Sequence, residues 1–233
     1  MSHQHWIAWA PVNRDLRLAS GAVISRPFDL LRAFFAEEWA YYDGIADPSP
    51  SHIVPLDVVV TVSVNSFLNS ASRIRSVHRG LAEVCDPLLA EISDDADLRS
   101  VASGPVVELL DAACQVKWVL VPVAAKVLHR KRPSLIPMLD TVVSDYYLRT
   151  AGRLDLRAAR EDKRRAAATA QVPLDAFRHD LEDAWRRLGE LRSALAGEGW
   201  PVAELRILEV MIWMWADPLR QYVQLFDDDR DTV

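Results

Sequence analysis

The 233-residue chain has no stretch approaching the roughly 18 consecutive apolar residues of a membrane-spanning helix. Its N-terminus also lacks a basic segment followed by an apolar one. These two absences predict a soluble, cytoplasmic protein with no membrane partner. Only two cysteines occur, Cys85 and Cys114, in apolar helical surroundings without Cys-x-x-Cys spacing. Reduced core thiols are therefore expected, with neither a bridge nor a metal site. The six histidines are scattered without ligand spacing, which argues against zinc. There is no GxxxxGKS loop, no GxGxxG after a strand, no GxSxG elbow, no HExxH and no internal repeat. Common nucleotide hydrolases, kinases, serine hydrolases and metalloproteases are thereby set aside, and no cofactor is expected. Acid/base chemistry on a bound anion remains.

What is present suits a helical globule. Half of the residues are apolar and eight are tryptophan, enough for one sizeable core or one core with two helical lobes. Residues 1–24 read as an N-terminal arm pinned by Trp6 and Trp9, residues 25–226 as one all-α domain, and residues 227–233 as an acidic, solvated tail. Ser25 as cap and Pro27 in the first turn start a helix to about Tyr42, and the polar run around DPSPS ends it. Pro55 opens LDVVVTVSVNSFLNSASRI, whose β-branched run permits either a helix or a buried strand; helix is preferred because no partner strand is evident. Asp86-Pro87 is read as the start of a short helix, and Pro105 as the start of a long apolar one that Pro122 bends or breaks. Pro173 is read as starting an amphipathic helix with Leu174, Phe177, Leu181, Trp185, Leu188, Leu191 and Leu195 on one face. VAELRILEVMIWMWA pairs with it. Trp213 and Trp215 cannot face the same side there; both are expected in the core, with one lining a cleft as the alternative.

The chain is organised around residues 124–149, AAKVLHRKRPSLIPMLDTVVSDYYLR. His129, Arg130, Lys131 and Arg132 place up to four positive charges at the C-terminal turn of an arriving helix, where they meet the negative end of its dipole. Pro133 stops that helix, and 134–138 form a connector. Asp140 falls in the first turn of the next helix, where a carboxylate meets unpaired N–H groups. Asp140 is then either a helix cap beside a solvated basic end, or an acid/base held with Lys126 and the cations at one anion-binding mouth. Asn65, Ser66 and Asn69 are either loop solvation or a second wall of that cleft. The net charge is −6, yet residues 126–165 carry eleven Lys and Arg against five acids, which leaves twelve excess acids elsewhere. A basic face on an acidic body favours phosphate binding, as it also suits an ordinary exposed helix.

KVLHRKRPSLIPMLDTVV resembles a motif of uncharacterised, mainly actinobacterial helical proteins. More distantly, LDTVVSDYYLR resembles the Val-Asp-Thr-His-Val-x-Arg segment of helix-hairpin-helix DNA glycosylases, over about Trp118 to Arg149. The resemblance implies a glycosylase-like helical fold and assigns the catalytic carboxylate to Asp140. It departs from that family in two places. LVPVAAK has no glycine where the family carries a Gly-Val-Gly turn, and Val142 replaces its histidine. Three functions follow as expectations. In the first, a DNA glycosylase-like protein binds nucleic acid or a nucleotide with Lys126, Arg130, Lys131 and Arg132 on phosphates, and Trp118 or Tyr146 stacked on an extruded base. In the second, an enzyme of specialised metabolism takes a phosphorylated small molecule or a charged tRNA end, with Asp140 as base. In the third, a non-catalytic helical module docks an acidic partner.

Overall fold

The computed structural model describes residues 12–38, 41–64, 66, 68–151 and 163–216, and at 38 and 163–169 the backbone alone. The expectations placed on Trp6, Trp9, Asn65, the basic residues between 153 and 160 and the acidic tail lie outside that set. The described part is mostly helical.

Two strands of two residues, β1 (Leu16–Arg17) and β2 (Val23–Ile24), pair antiparallel. The helix α1 (Pro27–Glu38) follows. Its cap differs from expectation: the Asn13 side chain, not Ser25, accepts from the backbone N–H groups of Phe28 and Asp29 at 3.0 and 3.1 Å. The β-branched run is helical, as α2 (Pro55–Val60) and a 3-10 turn over Thr61–Val64. The helix does not continue through to Ile74. A new one, α3 (Ala71–Ala90), starts there, with the Ser70 side chain accepting from Arg73 N–H.

Pro87 does not start a helix but lies inside α3, whose buried stripe of Val77, Leu81, Cys85 and Leu89 runs past it, and the Asp86 carboxylate accepts from Ile53 N–H at 2.9 Å. α4 (Ser103–Cys114) and α5 (Val121–Lys131) form a hairpin about the turn 115–120, so the break falls before Pro122, which sits in the first turn of α5. Then come α6 (Thr141–Thr150), α7 (Lys163–Gly197) and α8 (Glu204–Ala216).

Pro173 is interior to α7 and does not begin it. The apolar stripe carries through the proline: Ala170, Leu174, Phe177, Leu181, Leu188, Leu191 and Leu195 are all buried. α7 packs against α4, α6 and α8, and α8 packs in turn on α1 and α6. α8 is buried nearly all round, from Leu205 to Ile212. Three of its buried residues are charged, namely Glu204, Arg206 and Glu209. Cys85 and Cys114 are buried free thiols. Among the described residues no helix is long and apolar enough to cross a membrane.

Candidate functional site

The basic run sits inside the protein, which corrects the expectation of a solvent-facing helix end. His129, Arg130, Lys131 and Arg132 are at most 9 % exposed. The segment 42–50 holds Pro48 and Pro50, which have no N–H, and it offers carbonyls that helix and sheet ladders do not use. The cations answer them. Arg130 donates to the carbonyls of Ile45 and Ala46 at 3.1 and 3.2 Å, Lys131 to that of Ser49 at 2.9 Å, and Arg132 to that of Pro50 at 3.0 Å. Arg132 also closes the end of α3 by donating to the carbonyls of Leu89 and Ile92 at 2.9 and 2.7 Å. Three carboxylates supply countercharge: Asp57, wholly buried, at 3.0 Å from Arg130 Nε and 2.5 Å from Lys131 Nζ; Asp47 at 2.9 Å from Lys131 Nζ; and Asp94 at 2.9 Å from Arg132 Nη2. His129 Nδ1 lies 2.7 Å from the Ile136 carbonyl, and burial pushes its pKa down to about 4.

One turn earlier on α5, Lys126 lines a cavity of about 220 Å³ that it shares with Asp140. Lys126 donates to the Val64 carbonyl on the 3-10 turn, and Tyr42 Oη donates to the Lys126 carbonyl at 2.6 Å. Asp140 is the N-cap of α6, accepting from Val143 N–H at 2.9 Å. The capping role and the cavity role therefore coincide in one side chain. Burial raises the Asp140 carboxyl, while the Val143 N–H and then the Lys126 ammonium hold it down. Burial lowers Lys126, and Asp140 and Glu209 oppose that shift.

The sequence reading missed the residues that α8 and α1 bring to this cavity: Arg206, Glu209, Val210 and Phe34. Glu209 accepts from Met138 N–H in the connector at 3.1 Å and from Arg206 Nη1 at 2.6 Å. Burial lifts its carboxyl to about 7 despite the opposing pull of Arg206. Arg206 is held by Asp43 through two bonds, Nε to Oδ1 at 2.8 Å and Nη2 to Oδ2 at 2.9 Å. Trp213 lines the cavity, its ring edge-on to Phe34 with centroids 5.9 Å apart, so one tryptophan of the pair does line a cleft. The signal for Glu209 and Arg206 was available: two charges on an otherwise apolar helix that is buried all round need a polar reason to be there.

The remaining nominated residues lie apart from this cavity. Tyr146 hydrogen-bonds Ser20 at 2.6 Å and meets Trp215 edge-on at 5.6 Å. Ser20 and Tyr147 in turn donate to the buried carboxylate of Asp180. Asn69 accepts from Arg73 at 3.1 Å. Trp118 stands on the turn between α4 and α5, 49 % exposed. Among the described residues no cluster of three or more His, Cys, Asp or Glu suits a metal ion.

Fold and site together define a mostly helical protein with a small polar cavity between α1, α5, α6 and α8, holding two carboxyls, a lysine and an arginine. The chain belongs to a family of unknown function, DUF6308, whose model matches residues 27–216 and so includes every lining residue of the cavity. No curated protein and no solved structure matches it.

Proposed function

We propose that the protein is a glycosylase-like enzyme that takes a nucleobase of a nucleic acid or nucleotide into the Asp140–Lys126 cavity and hydrolyses its N-glycosidic bond. One observation carries the reading: the two residues nominated for catalysis, fourteen positions apart in sequence, face the same cavity of about 220 Å³. Pockets for drug-sized ligands run to about 300–1,000 Å³, so this one suits a single planar ring, with Trp213 and Phe34 as apolar walls.

The two carboxyls divide the work. Glu209, at about 7, holds a proton over much of the neutral range and gives it to the departing base as the C1′–N bond breaks. Asp140, whose carboxylate form the Val143 N–H and Lys126 favour against burial, stabilises the positive charge developing at the sugar and accepts the proton of the water that adds to C1′. Bulk water returns protons afterwards, so the sum is substrate plus water giving free base and sugar. Lys126 is a positioning residue that keeps Asp140 charged. The resemblance of LDTVVSDYYLR to helix-hairpin-helix glycosylases supports the same assignment. The buried HRKR run makes no phosphate contact in this scheme, because its donors serve the 42–50 segment.

The test is base release from oligonucleotides that each carry one modified base, with abasic sites revealed by alkaline cleavage. Asp140→Asn keeps a side-chain acceptor for Val143 N–H and hence the fold, and it is expected to lose about 10²- to 10⁴-fold in rate. Undiminished release by Asp140→Asn sinks the mechanism, as does the absence of release by the unaltered protein across the set.

A further inference from the structure

With the HRKR run committed inside, the exposed positive charge near the hairpin lies elsewhere. Residues 66–82 carry Arg73, Arg75 and Arg79 and no acid, and the turn 115–120 carries Lys117 and no acid. The start of α3 and this turn are joined through one side chain: Trp118 has Arg73 Cζ at 4.5 Å and Lys117 Nζ at 4.9 Å from its ring centroid. The ring is half exposed, and Leu120 beside it is exposed to the same extent. Trp118 also holds a left-handed backbone, φ 74°, which a bulky residue adopts at a cost. Its neighbours Val116 and Val119 are both buried, so the turn anchors itself on valines and pushes the tryptophan outward. Packing alone is no reason to put the largest side chain at such a position.

We propose that Trp118, with Arg73 and Lys117, is a docking platform for an unpaired nucleic-acid strand, the ring stacking on a base and the cations pairing with the flanking phosphates. This rests on the glycosylase-like reading of the cavity and names the form of its substrate. Every base has a π-face, so an exposed ring grips single strands without sequence preference. A duplex hides those faces within its stack. The overall charge of −6 repels a polyanion from the rest of the molecule, which favours approach where two acid-free stretches, 66–82 and 115–120, bring their cations together. Trp118 precedes Lys126 by eight residues, and α5, which begins at Val121, runs from this turn to the cavity. The six residues from Leu120 to Lys126 rise about 9 Å, so a strand lying on the platform has a neighbouring nucleotide within reach of Asp140.

The experiment is fluorescence anisotropy of the full chain with end-labelled oligo-dT, oligo-U and a duplex of equal length, across a salt series. Trp118→Gly removes the ring and suits the left-handed backbone. It is expected to keep the melting temperature of the unaltered protein while binding oligo-dT about tenfold more weakly, and Trp118→Phe to recover most of the loss. Lys117→Gln is expected to reduce the slope of log K against log salt by about 0.7. Single-strand binding unchanged in Trp118→Gly overturns the proposal, as does tighter binding of the duplex; preference between oligo-dT and oligo-U decides only whether DNA or RNA is the strand. Asp140→Asn is expected to bind oligo-dT as the unaltered protein does. The two readings therefore fail separately: base release with no effect of Trp118→Gly leaves the cavity and removes the platform, and loss of binding in Trp118→Gly without base release does the reverse.

Discussion

Asp57 shows how one residue can decide what its neighbours mean. It is wholly buried and serves as the acid for both Arg130 and Lys131, while its second oxygen also accepts from Val54 N–H at 2.8 Å at the start of α2. Replacing it with alanine leaves Arg130 buried without a carboxylate and Lys131 with Asp47 alone, at 2.9 Å. The expected loss in urea unfolding is about 3–5 kcal/mol, with Asp57→Asn only partly better because the amide returns no charge. A change under about 1 kcal/mol would mean that Asp47 and the carbonyls of segment 42–50 suffice without it. This is also where the sequence was hardest to read. Four consecutive cations look like a solvated helix end because their partners stand far off in sequence, at Asp47, Asp57 and Asp94, and in backbone carbonyls that have no signature of their own. Lys126 and Asp140 were legible because a short connector between two helix ends keeps such residues close. Glu209 and Arg206 announced a polar role by standing on an otherwise apolar buried helix, but no sequence signal tied them to Lys126 and Asp140, about 70 residues away.

At the scale of elements, apolar periodicity gave helices in nearly every place where the structure has them, and the proline signals misplaced their ends. Pro27, Pro55 and Pro122 do sit in first turns, whereas Pro87 and Pro173 are swallowed by α3 and α7. A proline costs an interior helix about 3 kcal/mol, and along α7 the stripe from Ala170 through Leu174 and Phe177 buries enough apolar surface to outweigh it. The contact between α3 and the hairpin turn depends on a glycine. A Cβ on Gly80 would lie 2.6 Å from Val116 Cγ1 and 3.3 Å from Cγ2. Valine is stiff about χ1 and Val116 is buried, so the methyl cannot swing clear. Gly80→Ala gains about 1 kcal/mol in helix propensity and loses about 1–3 kcal/mol by overpacking. Net destabilisation of about 1 kcal/mol is therefore expected, read as a lower denaturation midpoint. A more stable Gly80→Ala protein would show the two elements free to part, and with them the platform at Trp118.

For the molecule as a whole, the buried titratable groups of the cavity and its surroundings shape stability against pH, and two of them pull in opposite directions. His129 is neutral in the folded protein because burial sets it at about 4, against an ordinary 6.5. Below 6.5 the unfolded chain takes up a proton that the folded one refuses. Its contribution is thus present above 6.5 and is lost as pH falls towards 4. Glu209 runs the other way. Its folded value of about 7 lies above the ordinary 4.5, so its contribution is present below 4.5 and is lost as pH rises through 7. Each shift corresponds to about 3 kcal/mol, and in the window from 4.5 to 6.5 the two nearly cancel. Asp140, also raised by burial, adds to the side of Glu209. A nearly flat stability profile across that window is expected for the unaltered protein. His129→Gln, whose amide can still donate to the Ile136 carbonyl, leaves Glu209 unopposed, so its stability should fall steadily as pH rises from 4.5 to 6.5. Glu209→Gln leaves His129 opposed by Asp140 alone, and its stability should fall as pH drops over the same range. Urea midpoints measured at half-unit pH intervals decide the matter: parallel profiles for the three proteins would show that neither group changes its protonation on unfolding.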